Sequence, residues 1–559
     1  MIGCLAYLLL FSNTLILAPA IMLYPDEPIL ANQGREIALT LLAGGSPTPL
    51  FPLGLYPLVP LFYSSLYVLV HDSLSWLVLV QWYKSLLIFV GCSWAFYGVA
   101  KLPAFRGAPR WVACLLLFLL PVIPPLANSS RDGLYAVFAA CALLPALQFT
   151  SNRQPRSLIT ASVALAVAAL VRTDAFVVWA LLLILVTWLP PKGAETKTGW
   201  WQRLHPRATF TLTAPFMLIV GGYGLLAAHE TGLAWTSSSA YVSFEQAEGV
   251  VYVGLDPAAQ VVGLASGPGK ARELYGTREE NGESFIRAAM RNPKAFAKRV
   301  LFAASQAPLY AFEAYGGLVF GSVVWALALI GAVAQAKRRF WSELAVLAIW
   351  SVPLITYALF FYRAAYFLYE FYVVLPLAGL GTVHVARRLQ TLTAARLSDR
   401  TNRLAGRLAW SLIVLGCTVA IILRQPSVPA VHTLGASANE RVAAYLNGHY
   451  APSTRVATFV AHGVTWSAGL RVSNDHALWS GANANSDAWP LLQASESDMV
   501  YLEPLTCMLL ADAYESIIRL EGDHLTRVLD IQDTLWTELF AAHERASLCT
   551  AHILFQVRR

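Results

Sequence analysis

The sequence predicts an α-helical polytopic membrane protein that ends in a small α/β domain. Of its 559 residues, 57% are hydrophobic and only 13% are charged, whereas a soluble domain carries about 25% charged residues. The apolar residues form long blocks, and a hydrocarbon core about 30 Å thick needs roughly 17–25 of them per helix. The blocks stop at residue 424, which leaves residues 425–559 as a separate polar domain.

Hydropathy places about eleven spanning helices before residue 424. They lie near residues 3–23, 75–100, 110–127, 133–149, 157–172, 174–190, 208–228, 316–336, 342–361, 365–385 and 408–424. The first apolar run has no basic residues before it and is longer than that of a signal peptide, so we interpret it as a retained helix. The net charge of +7 resides mostly in short loops between the blocks. This is typical of membrane topology and argues against a nucleic-acid partner.

The segment 54–71 is apolar enough to cross the membrane, but the positions of the basic residues argue against a crossing. If this segment does not cross, five basic loops share one face, as expected of the cytoplasmic side. These loops contain Lys101/Arg106/Arg110, Arg153/Arg156, Lys192/Lys197/Arg203/Arg207, Lys337/Arg338/Arg339 and Arg387/Arg388/Arg396/Arg400/Arg403/Arg407. We therefore interpret the proline-rich segment 54–71 as interfacial or re-entrant.

This topology divides the chain into a transmembrane domain, residues 1–424, and an exoplasmic domain, residues 425–559. The N-terminus lies in the cytoplasm, and external loops occupy residues 24–74 and 229–315. The second external loop contains an amphipathic stretch, ESFIRAAMRNPKAFAKRVLFAA, which we expect on the membrane surface. We predict the inner membrane of a bacterium as the location, with the tail in the periplasm or outside the cell.

The tail alternates helix-like and strand-like segments. NERVAAYLNGHY has helical spacing, whereas RVATFV and DMVYLE are short β-like runs. This mixture predicts a small α/β domain. Cys507 and Cys549 are the cysteines of the tail, and the topology places both on the oxidising side of the membrane. We therefore predict a disulfide between them; the alternative is two buried thiols, since the sequence gives no distance between them.

Asp26 and Glu27 follow the first predicted helix directly, in the motif LYPDEPI at the outer membrane boundary. Adjacent carboxylates beside hydrocarbon are costly unless they are used or solvated. A carboxylate held there could take the proton from an acceptor hydroxyl group, or it could bind a divalent cation. The alternative is a solvated helix end without a catalytic role.

Three further regions deliver charged residues to the same outer layer. Arg131 and Asp132 open a helix in ANSSRDGLYAVF, Arg172 lies between two short apolar runs in LVRTDAF, and Arg363 ends a helix in FFYRAAYF. Arginine suits bidentate contacts with phosphate, so carboxylates beside arginines predict a site for an anionic lipid. Taken singly, each arginine could instead contact lipid headgroups.

The order of these motifs resembles that of the GT-C glycosyltransferases, particularly the bacterial branch related to protein O-mannosyltransferases and lipid A aminoarabinose transferases. The shared order is an apolar helix, the Asp26–Glu27 pair, an amphipathic segment, a proline-rich segment, and helices of which one opens at Asp132. The resemblance implies that Asp26, with Glu27, supplies the catalytic base and that Asp132 completes the site. The chain lacks the WWD-type signature of oligosaccharyltransferases and an evident β-trefoil insert in its long loop.

The reaction implied by this resemblance is transfer of a sugar from a polyprenyl-phosphate donor to a hydroxyl group of a glycan, lipid or protein. Arg131, Arg172 and Arg363 would hold the donor phosphate, and Asp26 would deprotonate the acceptor. The acceptor oxygen would attack the anomeric carbon with inversion and release polyprenyl phosphate. A divalent cation, Mg²⁺ or Mn²⁺, held by Asp26 or Asp132 is compatible with two carboxylates but is not required by them.

Two other classes of protein fit the same topology. A transporter or lipid flippase typically places ionisable residues near the bilayer midplane, often in repeated halves, whereas the charges here cluster at the outer interface without evident symmetry. A surface receptor that binds through its tail would leave the outer layer of Asp and Arg unexplained. Lys84 and Glu370, which lie inside predicted spans, are expected to be paired or functional, and their roles stay unassigned.

Overall fold

Helices dominate the computed structural model, and the sheet of its described residues lies in the tail. This agrees with the predicted fold class. The structure describes residues 26–44, 57–70, 73–105, 130–188, 206–231, 238–255, 257–278, 280–282, 284–368, 370–394, 436–458, 470–472, 478, 488–532 and 549–558. The predicted spans near 3–23, 110–127 and 408–424, and the predicted domain boundary at residue 424, lie outside these ranges.

The described part of the membrane half consists of helices. These helices are α1 (Asp26–Leu42), α2 (Leu58–Tyr67), α3 (Ser73–Lys101), α4 (Ser130–Asn152), α5 (Pro155–Ala169), α6 (Asp174–Trp188), α7 (Pro206–Phe216), α8 (Gly222–Thr231), α9 (Ser238–Val250), α10 (Pro257–Tyr275), α11 (Phe285–Arg291), α12 (Pro293–Ala314), α13 (Gly317–Lys337), α14 (Trp341–Thr356), α15 (Ala364–Leu368) and α16 (Phe371–Ala394). Several helices begin at proline, whose fixed φ suits the first helical position and whose missing N–H has no intrahelical partner there.

Four of the described helical segments are long and apolar enough to cross a membrane. They are Arg131–Asn152, Pro206–His229, Gly317–Lys337 and Trp341–Leu359. Helices α5 and α6 are apolar but have only 15 residues each. At about 1.5 Å per residue each is roughly 22 Å long, which is shorter than a hydrocarbon core of about 30 Å. The turn between them can therefore lie deeper than the ends of the longer helices.

Three of the predicted basic turns lie together at one end of the bundle. Near the end of α13, Gln335 Nε2 donates a hydrogen bond of 2.7 Å to the Ala104 carbonyl, which follows α3. Near the end of α4, Ser151 Oγ donates a hydrogen bond of 3.4 Å to Glu343 Oε1 in the first turn of α14. The turns after α3, α4 and α13 are therefore neighbours, as the distribution of lysine and arginine predicted.

Glycines allow α13 and α16 to approach closely. A Cβ atom added at Gly331 would overlap the Leu377 carbonyl oxygen, and one added at Gly381 would overlap the Leu327 carbonyl oxygen. Small residues at such crossings let the backbones of membrane helices pack directly. No larger side chain fits at either position without separating the two helices.

Gly381→Leu is expected to destabilise the protein by about 1–3 kcal/mol, the usual cost of overpacking a filled interface. Gly222→Leu is the matched control, because a Cβ atom at Gly222 meets nothing within 4 Å. The measurement is the thermal midpoint of each variant in detergent. Equal midpoints for the two variants would contradict the close packing of α13 and α16.

Helices α1 and α2 form a hairpin at the other end of the bundle. A Cβ atom added at Gly34 would overlap Tyr63, which is fully buried. With 10 residues, α2 is about 15 Å long and cannot cross the membrane alone. The Leu58 N–H donates a hydrogen bond of 3.4 Å to the Leu170 carbonyl. These observations agree with the interfacial interpretation of 54–71 and bring the hairpin next to the turn between α5 and α6.

The second external loop is a layer of helices α9 to α12. The predicted amphipathic stretch is divided at Asn292, whose side-chain oxygen accepts a hydrogen bond of 3.1 Å from the Ala295 N–H and so caps α12. Its apolar residues Ile286, Met290 and Leu301 are exposed. An exposed apolar face on a basic amphipathic helix is what a helix on a membrane surface requires.

The tail has an α/β architecture, as predicted. In chain order its elements are α17 (Ala436–His449), β1 (Arg455–Thr458), β2 (Arg471–Val472), α18 (Trp489–Ala494), β3 (Met499–Leu502), α19 (Pro504–Leu509), α20 (Ala511–Ile518), β4 (Leu525–Gln532) and β5 (Ala551–Val557). The strand order is β2-β1-β3-β5-β4. The first three strands are parallel, and β5 is antiparallel to both β3 and β4.

Successive side chains of β3 pack on opposite faces of the sheet. Tyr501 lies in an apolar cluster with Leu446 of α17, and Leu502 lies in a second cluster with Ile517 of α20. Both faces of the sheet are therefore covered by helices. The predicted disulfide is confirmed: Cys507 in α19 is bonded to Cys549 beside β5, with their Cα atoms 5.5 Å apart.

The tail contacts the external elements of the membrane half. In α1, the buried Arg35 donates a hydrogen bond of 3.1 Å from Nη2 to the Leu470 carbonyl, which precedes β2. Helix α10 of the second external loop lies against α19. The tail and both external loops are therefore on the same side of the bundle, opposite the basic turns.

A reporter that is active only in the cytoplasm is expected to be silent when fused after Arg559. The reason is that the tail lies at the end of the bundle remote from the basic turns, and basic turns face the cytoplasm. The same reporter fused after Arg338, in the turn that follows α13, is the positive control. A strong signal from the Arg559 fusion would contradict the predicted topology.

Candidate functional site

Three chain segments meet at the end of the helix bundle that lies opposite the basic turns. Asp132 lies in the first turn of α4 and Asp174 is the first residue of α6, where the helix dipole favours a negative charge. Arg172 precedes Asp174 in the turn between α5 and α6, and its N–H donates a hydrogen bond of 2.8 Å to the Ala168 carbonyl. Tyr357 begins the 3₁₀ turn Tyr357–Leu359 that follows α14.

The guanidinium of Arg172 links these segments. Its Nε donates a hydrogen bond of 2.7 Å to Asp174 Oδ2, and its Nη1 donates one to Asp132 Oδ1. Its Nη2 donates a hydrogen bond of 2.9 Å to the Tyr357 hydroxyl, which in turn donates one of 2.6 Å to Asp174 Oδ2. We call Arg172, Asp132, Asp174 and Tyr357 the Arg172 cluster.

The Arg172 cluster is shielded from solvent and nearly balanced in charge. Arg172 is 8% exposed and Asp132 is 7% exposed. Arg131 Nε lies 3.8 Å from Asp132 Oδ1, so two guanidinium groups face the carboxylates of Asp132 and Asp174. A buried charge is tolerated when it is paired and hydrogen-bonded in this way. The arrangement fixes the positions of these charges before any ligand arrives.

Aromatic rings enclose the Arg172 guanidinium. Its Cζ lies 5.8 Å from the ring centroid of Tyr135, 5.9 Å from that of Tyr357 and 5.7 Å from that of Tyr366. The rings of Tyr357 and Tyr366 are themselves stacked, with centroids 4.4 Å apart. These distances allow cation–π attraction, and the rings exclude water from one side of the cluster.

The structure brings together three of the predicted site residues, Arg131, Asp132 and Arg172. Arg172 was predicted to bind the donor phosphate, and the structure adds that three of its five N–H donors hold the cluster together. Asp26 and Glu27 begin α1, but their side chains lie outside the described set. Their predicted roles therefore stay predictions.

Arg363 lies in the segment between the 3₁₀ turn and α15. Its guanidinium lies 5.1 Å from the ring centroid of Phe361 and is partly exposed. Within the described ranges it forms no ion pair with an acidic side chain. A partly exposed arginine without an acidic partner keeps its positive charge available to an anion.

Asp174 and Tyr357 were not predicted as site residues. The sequence contains a pattern that could have indicated Asp174. Asp174 follows Arg172 by two positions at the start of an apolar run, just as Asp132 follows Arg131 at the start of another apolar run. Tyr357 had no such pattern: it is 185 positions from Arg172, and its segment is one aromatic run among several. Its place in the cluster is visible only in the folded chain.

Lys84 and Glu370 are both buried, as expected of ionisable residues inside the membrane half. Ser351 Oγ donates a hydrogen bond of 3.0 Å to Glu370 Oε2. The main-chain carbonyl of Glu370 accepts a hydrogen bond of 2.8 Å from the Val373 N–H at the start of α16. Glu370 therefore ties α14 to the start of α16, beneath the outer layer.

The described carboxylates do not form a metal site by themselves. No group of three or more His, Cys, Asp or Glu side chains in the described ranges could hold a metal ion. Asp132 and Asp174 are already bonded to the Arg172 guanidinium, which supplies the positive charge that a cation would otherwise supply. The prediction of a Mg²⁺ or Mn²⁺ ion held by Asp26 or Asp132 stays a prediction.

Comparison with known proteins agrees with this architecture. No protein-family model matches the sequence, and no curated protein matches it in sequence. Among solved structures, the chain is similar to ArnT from Cupriavidus metallidurans bound to undecaprenyl phosphate, with a TM-score of 0.50 and 12% identity over 99% of this chain and 98% of ArnT.

A second similar structure is the archaeal oligosaccharyltransferase AglB from Archaeoglobus fulgidus, in complex with an inhibitory peptide and a dolichol-phosphate. Its TM-score is 0.43, with 11% identity over 90% of this chain and 69% of AglB. The likeness to ArnT includes both the membrane half and the tail, because it extends over nearly the whole of both chains. The chain therefore has the fold of the GT-C membrane glycosyltransferases, as the order of its sequence motifs predicted.

Proposed function

We propose that this protein is a membrane glycosyltransferase that moves a sugar from a polyprenyl-phosphate donor to an acceptor hydroxyl group on the exoplasmic side. The observation that carries the proposal is the Arg172 cluster, a preorganised set of carboxylates and a guanidinium at the outer ends of the membrane helices. It occurs in a fold shared with ArnT, whose structure contains undecaprenyl phosphate. Carboxylates and cations at one membrane level suit a reaction that moves a proton and releases an anionic phosphate.

The leaving group in this reaction is a lipid phosphate, so the site needs positive charge that is not already neutralised. Arg363 meets this need, because it is partly exposed and has no acidic partner within the described ranges. Arg131 is paired with Asp132 at 3.8 Å, but its side chain is also partly exposed. We propose that Arg131 and Arg363 contact the phosphate directly. Arg172 contributes its charge from the enclosed cluster behind them.

Asp26 is the proposed general base. It is the first residue of α1, and α1 is packed through Gly34 on Tyr63 of α2. The first residue of α2, Leu58, is hydrogen-bonded to the Leu170 carbonyl, next to Arg172. The hairpin of α1 and α2 is thus anchored beside the Arg172 cluster, which is where a base that acts on the acceptor must be held.

The proposed reaction is a single displacement at the anomeric carbon. Asp26 takes the proton of the acceptor hydroxyl group while that oxygen forms a bond to the anomeric carbon. The bond from the anomeric carbon to the phosphate oxygen breaks, and polyprenyl phosphate leaves with the bonding electron pair. Arginines fixed in place before the reaction stabilise the charge of the leaving phosphate. Attack from the face opposite to the phosphate inverts the anomeric configuration.

The test is incubation of the detergent-purified protein with polyprenyl-phosphate sugars that carry a radiolabel in the sugar. Glycan, lipid and protein fractions of a bacterial envelope serve as acceptors. We expect label in one acceptor fraction and an equal amount of released polyprenyl phosphate. Translocation of intact donor across proteoliposomes without release of polyprenyl phosphate would instead support the flippase alternative and contradict the proposal.

A further inference from the structure

The second external loop contains a fully buried arginine that reaches the segment of Tyr357. Arg299 of α12 is 0% exposed. Its Nη1 donates hydrogen bonds of 2.9 Å to Glu248 Oε1 and 3.0 Å to the Phe244 carbonyl, both on α9. Its Nη2 donates a hydrogen bond of 2.9 Å to the Leu359 carbonyl. One guanidinium therefore links α9 and α12 to the 3₁₀ turn that begins at Tyr357.

The partners of Arg299 within the external loop hold its guanidinium in place. The Tyr275 hydroxyl donates a hydrogen bond of 2.8 Å to Glu248 Oε1, the same oxygen that accepts the hydrogen bond from Arg299 Nη1. The rings of Phe244 and Phe296 lie 4.5 Å and 5.1 Å from the Arg299 Cζ. Burial, and then the bond to Glu248, raise the pKa of Tyr275, so its hydroxyl stays protonated and donates. We call Arg299, Glu248 and Tyr275 the Arg299 network.

The Leu359 carbonyl has a particular need for this donor. It belongs to the last residue of the 3₁₀ turn, and carbonyls at a helix end have no partner within the helix. This carbonyl is partly buried, and the bond from Arg299 supplies it with a donor. Arg299 therefore caps the turn that begins at Tyr357, whose hydroxyl is hydrogen-bonded to both Arg172 and Asp174.

We propose that Arg299 is a positioning residue for the site, acting through the Leu359 carbonyl to hold the Tyr357 hydroxyl between Arg172 and Asp174. This inference rests on the proposed transferase function and assigns to the external loop a part in the geometry of that site. Arg299 itself touches neither donor nor acceptor. Its loss should therefore slow turnover while leaving donor binding nearly unchanged.

The decisive variant combines Arg299→Met with Glu248→Gln. It removes both buried charges together, so that neither is left uncompensated, and the glutamine still offers an oxygen to the Tyr275 hydroxyl. We expect kcat to fall by about 10–100-fold, since small misplacements far from the chemistry can cost about 10²-fold. The KM for the polyprenyl-phosphate sugar should change by less than about twofold, because only positioning for the reaction is lost.

The matched control is an ion pair, Arg278 with Glu245, that lies in the same part of the loop but does not reach the site. Arg278 Nη2 lies 2.9 Å from Glu245 Oε2 on α9, and both side chains are partly exposed. Arg278→Met with Glu245→Gln should leave kcat and KM at wild-type values. If this pair lowered kcat as much as the Arg299 pair does, the effect would belong to loop packing in general and the inference would fail.

The route through Tyr357 is tested by repeating the Arg299→Met/Glu248→Gln change in a Tyr357→Phe background. If Arg299 acts through the Tyr357 hydroxyl, the further loss of kcat should be less than about twofold, because coupled residues are not additive. Losses of kcat that add in the combined variant would overturn the inference. So would a folded Arg299→Met/Glu248→Gln variant with wild-type kcat, or loss of folding in that variant. A wild-type protein without transferase activity would instead refute the proposed function itself.

Discussion

Asp26→Asn is expected to lower turnover of a polyprenyl-phosphate sugar by about 10²–10⁴-fold, the usual cost of removing a general base. Asparagine keeps the volume of aspartate but cannot accept the proton of the acceptor hydroxyl group. Folding and donor affinity should therefore stay close to wild type. The measurements are kcat, donor affinity and thermal midpoint of the detergent-purified variant.

Glu27→Gln is the matched control, since it changes the neighbouring carboxylate of the same pair. Glu27 is the next residue of α1, but the proposal assigns the proton transfer to Asp26 alone. The glutamine variant should therefore lose much less activity. Wild-type turnover by Asp26→Asn would show that Asp26 is not the base. Unfolding of that variant would show that the pair has a structural role instead.

The outer layer of the site was predictable because membrane physics restricts where charges can lie. Arg131, Asp132 and Arg172 each interrupt or border an apolar run, and such residues must lie at a helix end or be paired. Knowing the side of the membrane for each loop then sufficed to place all three in one layer. Their pairing follows from the same constraint, since a guanidinium buried beside carboxylates bonds to them.

The other parts of the site depend on distant contacts that leave no local pattern. Tyr357 contacts Arg172 across 185 positions, and Arg299 contacts Leu359 across 60. A tyrosine in an aromatic run and an arginine in an amphipathic helix are both ordinary residues for a membrane surface. Sequence reasoning therefore placed the stretch that contains Arg299 on the membrane surface. In the structure the side chain of Arg299 instead points into the protein.

The lengths of two helices place a polar turn within the membrane half. Helices α5 and α6 are both too short to cross a hydrocarbon core of about 30 Å by themselves, so their connecting turn can sink below the outer surface. A polar turn at that depth needs partners within the protein, and the charged residues of the Arg172 cluster supply them.

Arg172→Leu is expected to cause the largest loss of stability among the site variants, about 3–5 kcal/mol, because removing one partner of a buried ion pair leaves an uncompensated charge. Here the carboxylates of Asp132 and Asp174 both lose the bond from Arg172, and the Tyr357 hydroxyl loses one bond. Turnover should fall together with stability, since Arg172 no longer holds the carboxylates of the cluster in place. Thermal midpoints and kcat in detergent are the measurements.

Arg131→Leu separates this effect from a general loss of positive charge. Arg131 faces the same carboxylate, but at 3.8 Å and with 28% of its side chain exposed, and ion pairs exposed to solvent contribute only about 0–1 kcal/mol. The control should therefore remain nearly as stable as wild type. A destabilisation equal to that of Arg172→Leu would contradict the special position of Arg172.

Adding Asp132→Asn to Arg172→Leu should recover part of the lost stability, because one of the two carboxylates that lost the Arg172 guanidinium becomes a neutral amide. Residues in one ion-pair network are not additive, so the double variant should be more stable than Arg172→Leu alone. Turnover should nevertheless stay low, since the charges that the reaction uses are still missing. Recovery of turnover together with stability would show that the Arg172 cluster only supports the fold. Recovery of stability alone would mean that the cluster also takes part in sugar transfer.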